Sequence, residues 1–322
     1  MMLRRVPITS VPAMVRLALG LLALAVIGQG PAAHAASAAA AAPQRILAIG
    51  SAVTETLYAL GLEDRVVAVD TSSTYPPRAL AEKPNVGYMR ALSPEGVLSV
   101  GPDLIIALDG AGPPDAVKVL KSAAIPFETL PEARDEAGVL ATIRRVAALA
   151  GVPERGEVLV GEVAADFAAL AQLRARLPAP RSVVFVLSAS GTAPVVGGAG
   201  TGAQAMFALA GVTNAMAGLN GYKPAVGEAV LGADPYAIVL MKDQNHAVSD
   251  AAVKAMPAFA GTTAIEAGRL YRMDGGYLLS FGPRTPQAAR DLAALIYPEL
   301  ALPPLPAHAA NATSTPSATG TP

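Results

Sequence analysis

Apolar and polar positions along the chain fall into two rounds of one alternation, in which short β-branched runs are followed by segments of helical period. The first round predicts a strand from Arg45 to Ile49, a helix from Val53 to Leu60, a strand from Val66 to Val69, a short helix near Pro94 to Ser99 and a strand from Leu104 to Leu108. The second predicts a strand from Ser182 to Leu187, a helix around Ala203 to Ala210, a strand from Ala237 to Met241 and a closing helix from Pro286 to Ile296. Alternation of this kind gives an α/β class, and its repetition predicts two α/β lobes. Between them Glu154 to Leu177 has helical composition, no internal proline, and Pro153 and Pro178 as its limits. One helix of ~35 Å joining the lobes at a ligand cleft is therefore expected.

An internal echo supports the two lobes. Ser93-Pro94-Glu95-Gly96-Val97-Leu98 followed by Gly101-Pro102-Asp103-Leu104-Ile105-Ile106 recurs as Val226-Gly227-Glu228-Ala229-Val230-Leu231 followed by Asp234-Pro235-Tyr236-Ala237-Ile238-Val239. Each copy reads as a short helix opened by an acid, a turn containing proline and a buried strand. Glu95 and Glu228 thus occupy equivalent places on the two lobes.

The two ends of the chain read differently. Arg4, Arg5 and Arg16 precede an apolar run from Leu17 to Ile27, and Ala33-His34-Ala35 has the small-x-small pattern of a signal peptidase site. Export with cleavage before Ala36 is expected, and the apolar run is short for a membrane span of ~20 residues. Beyond Pro303 the sequence lacks apolar periodicity, as a disordered tail does. The expected organisation is a signal peptide over 1–35, an extension over 36–44, a first lobe over 45–152, a bridging helix over 153–178, a second lobe over 179–300 and a tail over 301–322.

Composition narrows the chemistry. A formal net charge of −1 gives no basic face for nucleic acid. No cysteine is present, which excludes disulfides, thiolate metal sites and a thiol nucleophile. His246 is the one histidine outside the leader and the tail, so a multi-histidine metal centre is excluded and an enzyme is not expected. The Gly197-Gly198-Ala199-Gly200-Thr201-Gly202 run fails the dinucleotide fingerprint at Ala203 and has no phosphate-binding lysine.

The segment Val69-Asp70-Thr71-Ser72-Ser73-Thr74-Tyr75-Pro76-Pro77 follows a strand, and the prolines keep Tyr75 out of helical geometry. A tyrosine on a strand-to-loop edge can reach a ligand held outside the ends of the strands, although a lone loop tyrosine is more often a packing or rim residue.

The Asp70 to Pro77 segment, Val86-Gly87-Tyr88-Met89-Arg90-Ala91-Leu92-Ser93-Pro94-Glu95-Gly96-Val97-Leu98, Tyr222-Lys223-Pro224 and Phe281-Gly282-Pro283-Arg284-Thr285-Pro286 resemble the periplasmic haem-binding proteins of bacterial ABC importers. The resemblance runs from about Arg45 to Ile296. It implies capture of haem b as a transported ligand in the periplasm, by a monomer that delivers it to a permease dimer with its ATPase subunits and does not enter the membrane.

Tyr75 falls on that family's axial iron ligand, and phenolate is an established donor to haem iron. Some relatives set an arginine beside this tyrosine, where the present chain has Lys242. A histidine that some relatives add in the glycine-rich loop is missing. The resemblance further implies Arg90 and Arg284 as partners for the propionates, since a guanidinium matches a carboxylate in two bonds. It implies Tyr88, Met89, Tyr222, Tyr277 and Phe281 as walls for the porphyrin, and Glu95 and Glu228 as the pair that docks the permease. A ferric siderophore or a cobalamin is the alternative ligand of the same architecture.

Overall fold

The computed structural model describes residues 42–189, 193–225, 227–242 and 248–306. The leader expected over 1–35, Val226, His246 and the tail from 307 onward, with His308, lie outside them.

In the first lobe β1 (Ile46–Ile49), β2 (Val66–Val69), β3 (Leu104–Leu108) and β4 (Phe127–Leu130) pair in parallel in the order β2-β1-β3-β4. β1 and β3 are buried at every position, because helices cover both faces of a parallel sheet and leave no solvated side to alternate with. The covering helices are α1 (Ser51–Ala59), α2 (Pro77–Glu82), α3 (Pro94–Ser99), α4 (Pro114–Ser122) and α5 (Glu136–Leu149). Prolines open α2, α3 and α4, where a missing N–H costs no helical bond. The side chains of Ser93 and Asp135 cap α3 and α5. The chain leaves β1 toward one neighbour and β3 toward the other, so the crevice for a ligand opens at the carboxyl ends of β1 and β3. The loop after β2 borders it.

Helix α6 (Pro153–Arg174) follows, 22 residues long and thus about 33 Å. It buries Leu159, Val160, Val163, Phe167, Leu170 and Leu173, and packs on α5 and on the helix Thr285–Ile296. It stops short of the limit expected at 178. Leu177 N–H bonds back to Arg174 O at 3.0 Å, which turns the chain ahead of Pro178.

The second lobe holds β5 (Ser182–Ser188), β6 (Val195–Gly197), β7 (Thr213–Asn214), β8 (Tyr222–Pro224), β9 (Ala237–Lys242) and β10 (Leu270–Asp274). Their order is β10-β9-β5-β6-β8, with β7 beside β5. β10, β9 and β5 run parallel, whereas β6 is antiparallel to both of its neighbours. Its helices are α7 (Gly202–Ala210), α8 (Gly227–Ala233), α9 (Asp250–Lys254), α10 (Thr263–Glu266), α11 (Gly275–Leu279) and α12 (Thr285–Ile296). The sequence echo is visible in the fold: α3 leads into β3 and α8 into β9, with Glu95 and Glu228 in the first helical turns.

The period of two along β5 divides the second core. Val183 and Phe185 join the apolar cluster that extends from the first sheet through α6 to α7 and α12, while Val184 and Val186 face a separate cluster on the far side. The two lobes therefore share one apolar core around α6. Among the described residues no helix is long and apolar enough to cross a membrane.

Candidate functional site

Asp70, at the end of β2, is fully buried and organises the loop that follows. Its carboxylate accepts from Gly50 N at 2.8 Å, Ser72 N at 3.0 Å and Ser73 Oγ at 2.9 Å. Ser73 Oγ also lies 2.7 Å from Thr54 Oγ1, which ties the loop to α1. These bonds replace the helix or sheet pairing that the loop lacks, as buried backbone and hydroxyl groups require. They deliver Thr74 and Tyr75 to the second lobe; the Tyr75–Pro76 peptide is cis. At the contact Gly276 lies so near that a Cβ there would be 2.4 Å from Thr74 Oγ1, so a side chain at 276 would require Thr74 to shift.

The Tyr75 ring meets Arg284 across the lobes, with the guanidinium carbon 3.3 Å from the ring centroid. The same guanidinium also lies over the Tyr277 ring, 4.9 Å from its centroid. Tyr277 donates its hydroxyl to Asp291 Oδ2 at 2.9 Å, and burial together with this carboxylate pushes its phenol well above the usual tyrosine range. Arg284 is itself fixed by Glu55 of α1, which accepts from Arg284 N at 2.8 Å and from Arg284 Nη2 at 2.9 Å. Tyr75 Oη, by contrast, is buried and makes no hydrogen bond to any described group. A buried phenol without a partner is costly in water-free surroundings, and its chemistry suits an incoming acceptor or a metal ion.

The segment carrying Tyr88, Met89 and Arg90 runs beside this loop, joined to it by the Thr71 N to Gly87 O bond of 3.0 Å. Tyr88 is half exposed. Met89 is buried in the first-lobe core, so its side chain is core packing. Arg90 Nη2 pairs with Glu132 Oε1 at 3.4 Å, and Arg134 Nη2 with Glu132 Oε2 at 3.2 Å. Arg134 Nη1 also donates to Gly200 O of the second lobe.

From the second lobe Tyr222 on β8 keeps about a third of its surface exposed and packs edge-on against Phe185, with ring centroids 6.4 Å apart. Desolvation raises its phenol above the ordinary value. Phe281 is buried, in a left-handed conformation with φ 52°, and sits beside Gly202. Lys242 is exposed at the end of β9, in register with Asp274. The cation that stacks on Tyr75 is Arg284 rather than Lys242. The glycine-rich loop has an internal reason for its composition at Gly198, where any side chain would collide with the backbone of Leu219.

Tyr75, Tyr277 and Arg284 are thus brought together. Arg90 stands in a second group with Glu132 and Arg134, and Glu95 and Glu228 are exposed on their short helices. Glu55 and Arg134 carry no motif that singles them out in the sequence. Glu55 stands between Thr54 and Thr56 on a helix whose middle is wholly buried, and at 3% exposure its carboxylate needs the partner that only the fold supplies.

Comparison with known proteins completes this picture. A family model described as "Periplasmic binding protein" matches residues 46–277. The structure of the periplasmic haem-binding protein BhuT in complex with two haems superposes with a TM-score of 0.76 at 38% identity, over 80% of this chain and 98% of that one. The apo form of the haem-binding protein RhuT from Roseiflexus sp. RS-1 gives a TM-score of 0.76 at 35% identity, over 79% and 98%. An ABC transporter substrate-binding lipoprotein of Bacillus subtilis, YvrC, is 27% identical over 80% of this chain and 81% of its own. A vitamin B12-binding protein of Pectobacterium carotovorum is 31% identical over 38% of this chain and 43% of its own.

Proposed function

The chain belongs to the periplasmic binding protein family, and from that premise we propose that it captures haem between its lobes through a bond from Tyr75 to the iron and delivers it to an ABC permease. Membership of a solute-binding family assigns it a transport role outside the cytoplasm. In this reading the cargo is haem b, the mature chain starts at Ala36, and lobes over 45–152 and 179–300 are bridged by the helix Pro153–Arg174.

One observation carries it: Tyr75 Oη is buried at the contact between the lobes and has no hydrogen-bonding partner among the described residues. Deprotonated, that oxygen is a hard anionic donor of the kind ferric iron takes in haem proteins. Tyr88 and Tyr222, which retain exposure, are the side chains that supply walls to the porphyrin. Arg90 and Arg134 offer cations to its propionates, because Arg284 already gives its guanidinium to Glu55.

The vitamin B12-binding relatives make cobalamin the rival cargo. The visible spectrum of the protein mixed with haemin tests the reading. A ferric tyrosinate spectrum in the wild type that disappears in Tyr75→Ala is expected. Equal haem binding by that variant removes Tyr75 as the ligand, and binding of cobalamin in place of haemin removes the haem assignment.

A further inference from the structure

The cleft contains an ion pair that neither lobe needs for its own sheet. Glu55 belongs to the first lobe and is 3% exposed; the Arg284 side chain belongs to the second and is 16% exposed. Taking both charges out of water costs about as much as a close pair with good geometry returns. Such a pair is a poor device for stability alone. Here the geometry is specific: both carboxylate oxygens are used, one by the Arg284 backbone N–H and one by Nη2.

The backbone is shaped to present Arg284 in this way. Phe281 takes a left-handed φ of 52°, uncommon for a residue with a side chain, three positions before Arg284 and at the entry to α12. The guanidinium, held by Glu55, lies over the rings of both Tyr75 and Tyr277, 3.3 and 4.9 Å from their centroids. Tyr277 cannot drift, since its hydroxyl is held by Asp291 and its backbone N–H by Asp274 Oδ1 at 2.8 Å. A connected stack therefore runs Asp291, Tyr277, Arg284, Tyr75, with Glu55 fixing its middle member from the other lobe. The pair is neutral overall, but it is oriented: its positive end lies against Tyr75.

We propose that Arg284, locked by Glu55, is the positioning residue for Tyr75, so that the two lobes come together in the arrangement that aims the phenol oxygen and holds a positive charge beside it. This rests on the reading of Tyr75 as the iron donor. A phenolate bound to ferric iron is stabilised by the guanidinium beside it, and the same contact draws the lobes together around the cargo. Ligand retention and lobe closure are then one event. The cation is supplied from the start of α12, not from Lys242 at the end of β9.

The test compares wild type, Tyr75→Ala, Arg284→Lys, Glu55→Gln and the double variant Glu55→Gln/Arg284→Gln. The double variant replaces the buried charges by amides of similar shape, so it remains decisive if either single variant is poorly folded by circular dichroism. Two quantities are read: the tyrosinate band and rate of haem loss to apomyoglobin, and the radius of gyration of the ligand-free protein by small-angle X-ray scattering. Loss of an outer partner of a metal ligand typically costs 10- to 100-fold in metal affinity, so haem loss about 10-fold faster, with a displaced band, is expected in Arg284→Lys and in the double variant. The ligand-free double variant should also have a larger radius of gyration. A folded double variant with wild-type band, wild-type loss rate and unchanged radius overturns the proposal. A wild type with no tyrosinate band, or a band that survives in Tyr75→Ala, instead overturns the reading of Tyr75, and the radius of gyration still decides whether the pair closes the lobes.

Discussion

Glu55 Oε2 accepts a hydrogen bond from Arg284 Nη2 at 2.9 Å, from one lobe to the other, in a place where the carboxylate is almost wholly removed from water. Removing one member leaves the other charge buried and alone, which generally costs about 3–5 kcal/mol. Glu55→Ala should therefore lower the unfolding free energy by about that amount in urea at neutral pH, and Glu55→Gln by less. A loss under about 1 kcal/mol for the alanine variant would mean that the lobes are apart in solution and that Arg284 is already hydrated.

Tyr277 gives the protein an alkaline limit. Burial, then Asp291, pushes its phenol up, and burial does the same for Tyr58, Tyr222 and Tyr271. In the unfolded chain these phenols ionise near pH ~10, whereas the folded protein keeps them protonated to higher pH. The folded state then binds more protons than the unfolded state, so the stability they contribute is complete below pH ~10 and is lost as pH rises beyond it. Tyr277→Phe should cost about 1 kcal/mol at pH 7, through the lost bond to Asp291. It should also flatten the decline above pH ~10 in a pH series of urea midpoints. An unchanged alkaline slope would contradict the assignment of that decline to Tyr277.

Much of this architecture is legible in the sequence because its strands are buried on both faces. The runs at 46–49, 104–108, 182–187 and 237–241 stand out as continuous apolar blocks, and Pro153 and Pro178 bracket the long helix. β4, with Phe127 and Glu128 only partly buried and Thr129 exposed, and β10 lie at sheet edges and carry mixed patterns, so neither announces itself. α5 is legible in principle, since Asp135 caps it and Val139, Ile143 and Val146 recur at helical spacing, but Thr142 and the Arg144-Arg145 pair interrupt its apolar pattern. At the site the tyrosine loop is visible because proline and the Asp70 turn are local signals. The Glu55–Arg284 pair is not, since it joins distant parts of the chain and only the folded lobes bring it together. The same holds for Arg134, whose significance is its bond to Gly200 O.

Arg90, Glu132 and Arg134 form a group with two cations around one carboxylate, all partly exposed. A ligand with two carboxylates of its own can take over from Glu132, each exposed contact contributing about 0.2–1 kcal/mol. Arg90→Ala and Arg134→Ala should each weaken haemin binding by up to about 5-fold, and Glu132→Gln should strengthen it. Haemin dimethyl ester, which keeps the iron and ring but has no free carboxylate, should bind all of these proteins alike. If the ester is as sensitive to the arginine substitutions as haemin, the arginines act on lobe contact through Gly200 and not on the propionates.

Glu95 and Glu228 pose the question of whether a first-turn glutamate is there for its helix or for a partner. Each lies in the first turn of a short helix, where the exposed N–H groups favour an anion by about 0.3–1 kcal/mol. That local effect accounts for either residue taken singly. It does not account for their equivalence, one on each lobe, on helices that lead into corresponding strands β3 and β9. Two exposed acids so placed suit a partner built of two like subunits that presents a cation to each, as a permease dimer would. Glu95→Arg/Glu228→Arg should consequently leave the haemin spectrum and affinity unchanged while abolishing stimulation of the ATPase in the reconstituted transporter. The two single variants should each lose part of that stimulation. Full stimulation by the doubly reversed protein would return both glutamates to a purely helical role, and a loss of haemin binding would place them in the ligand site instead.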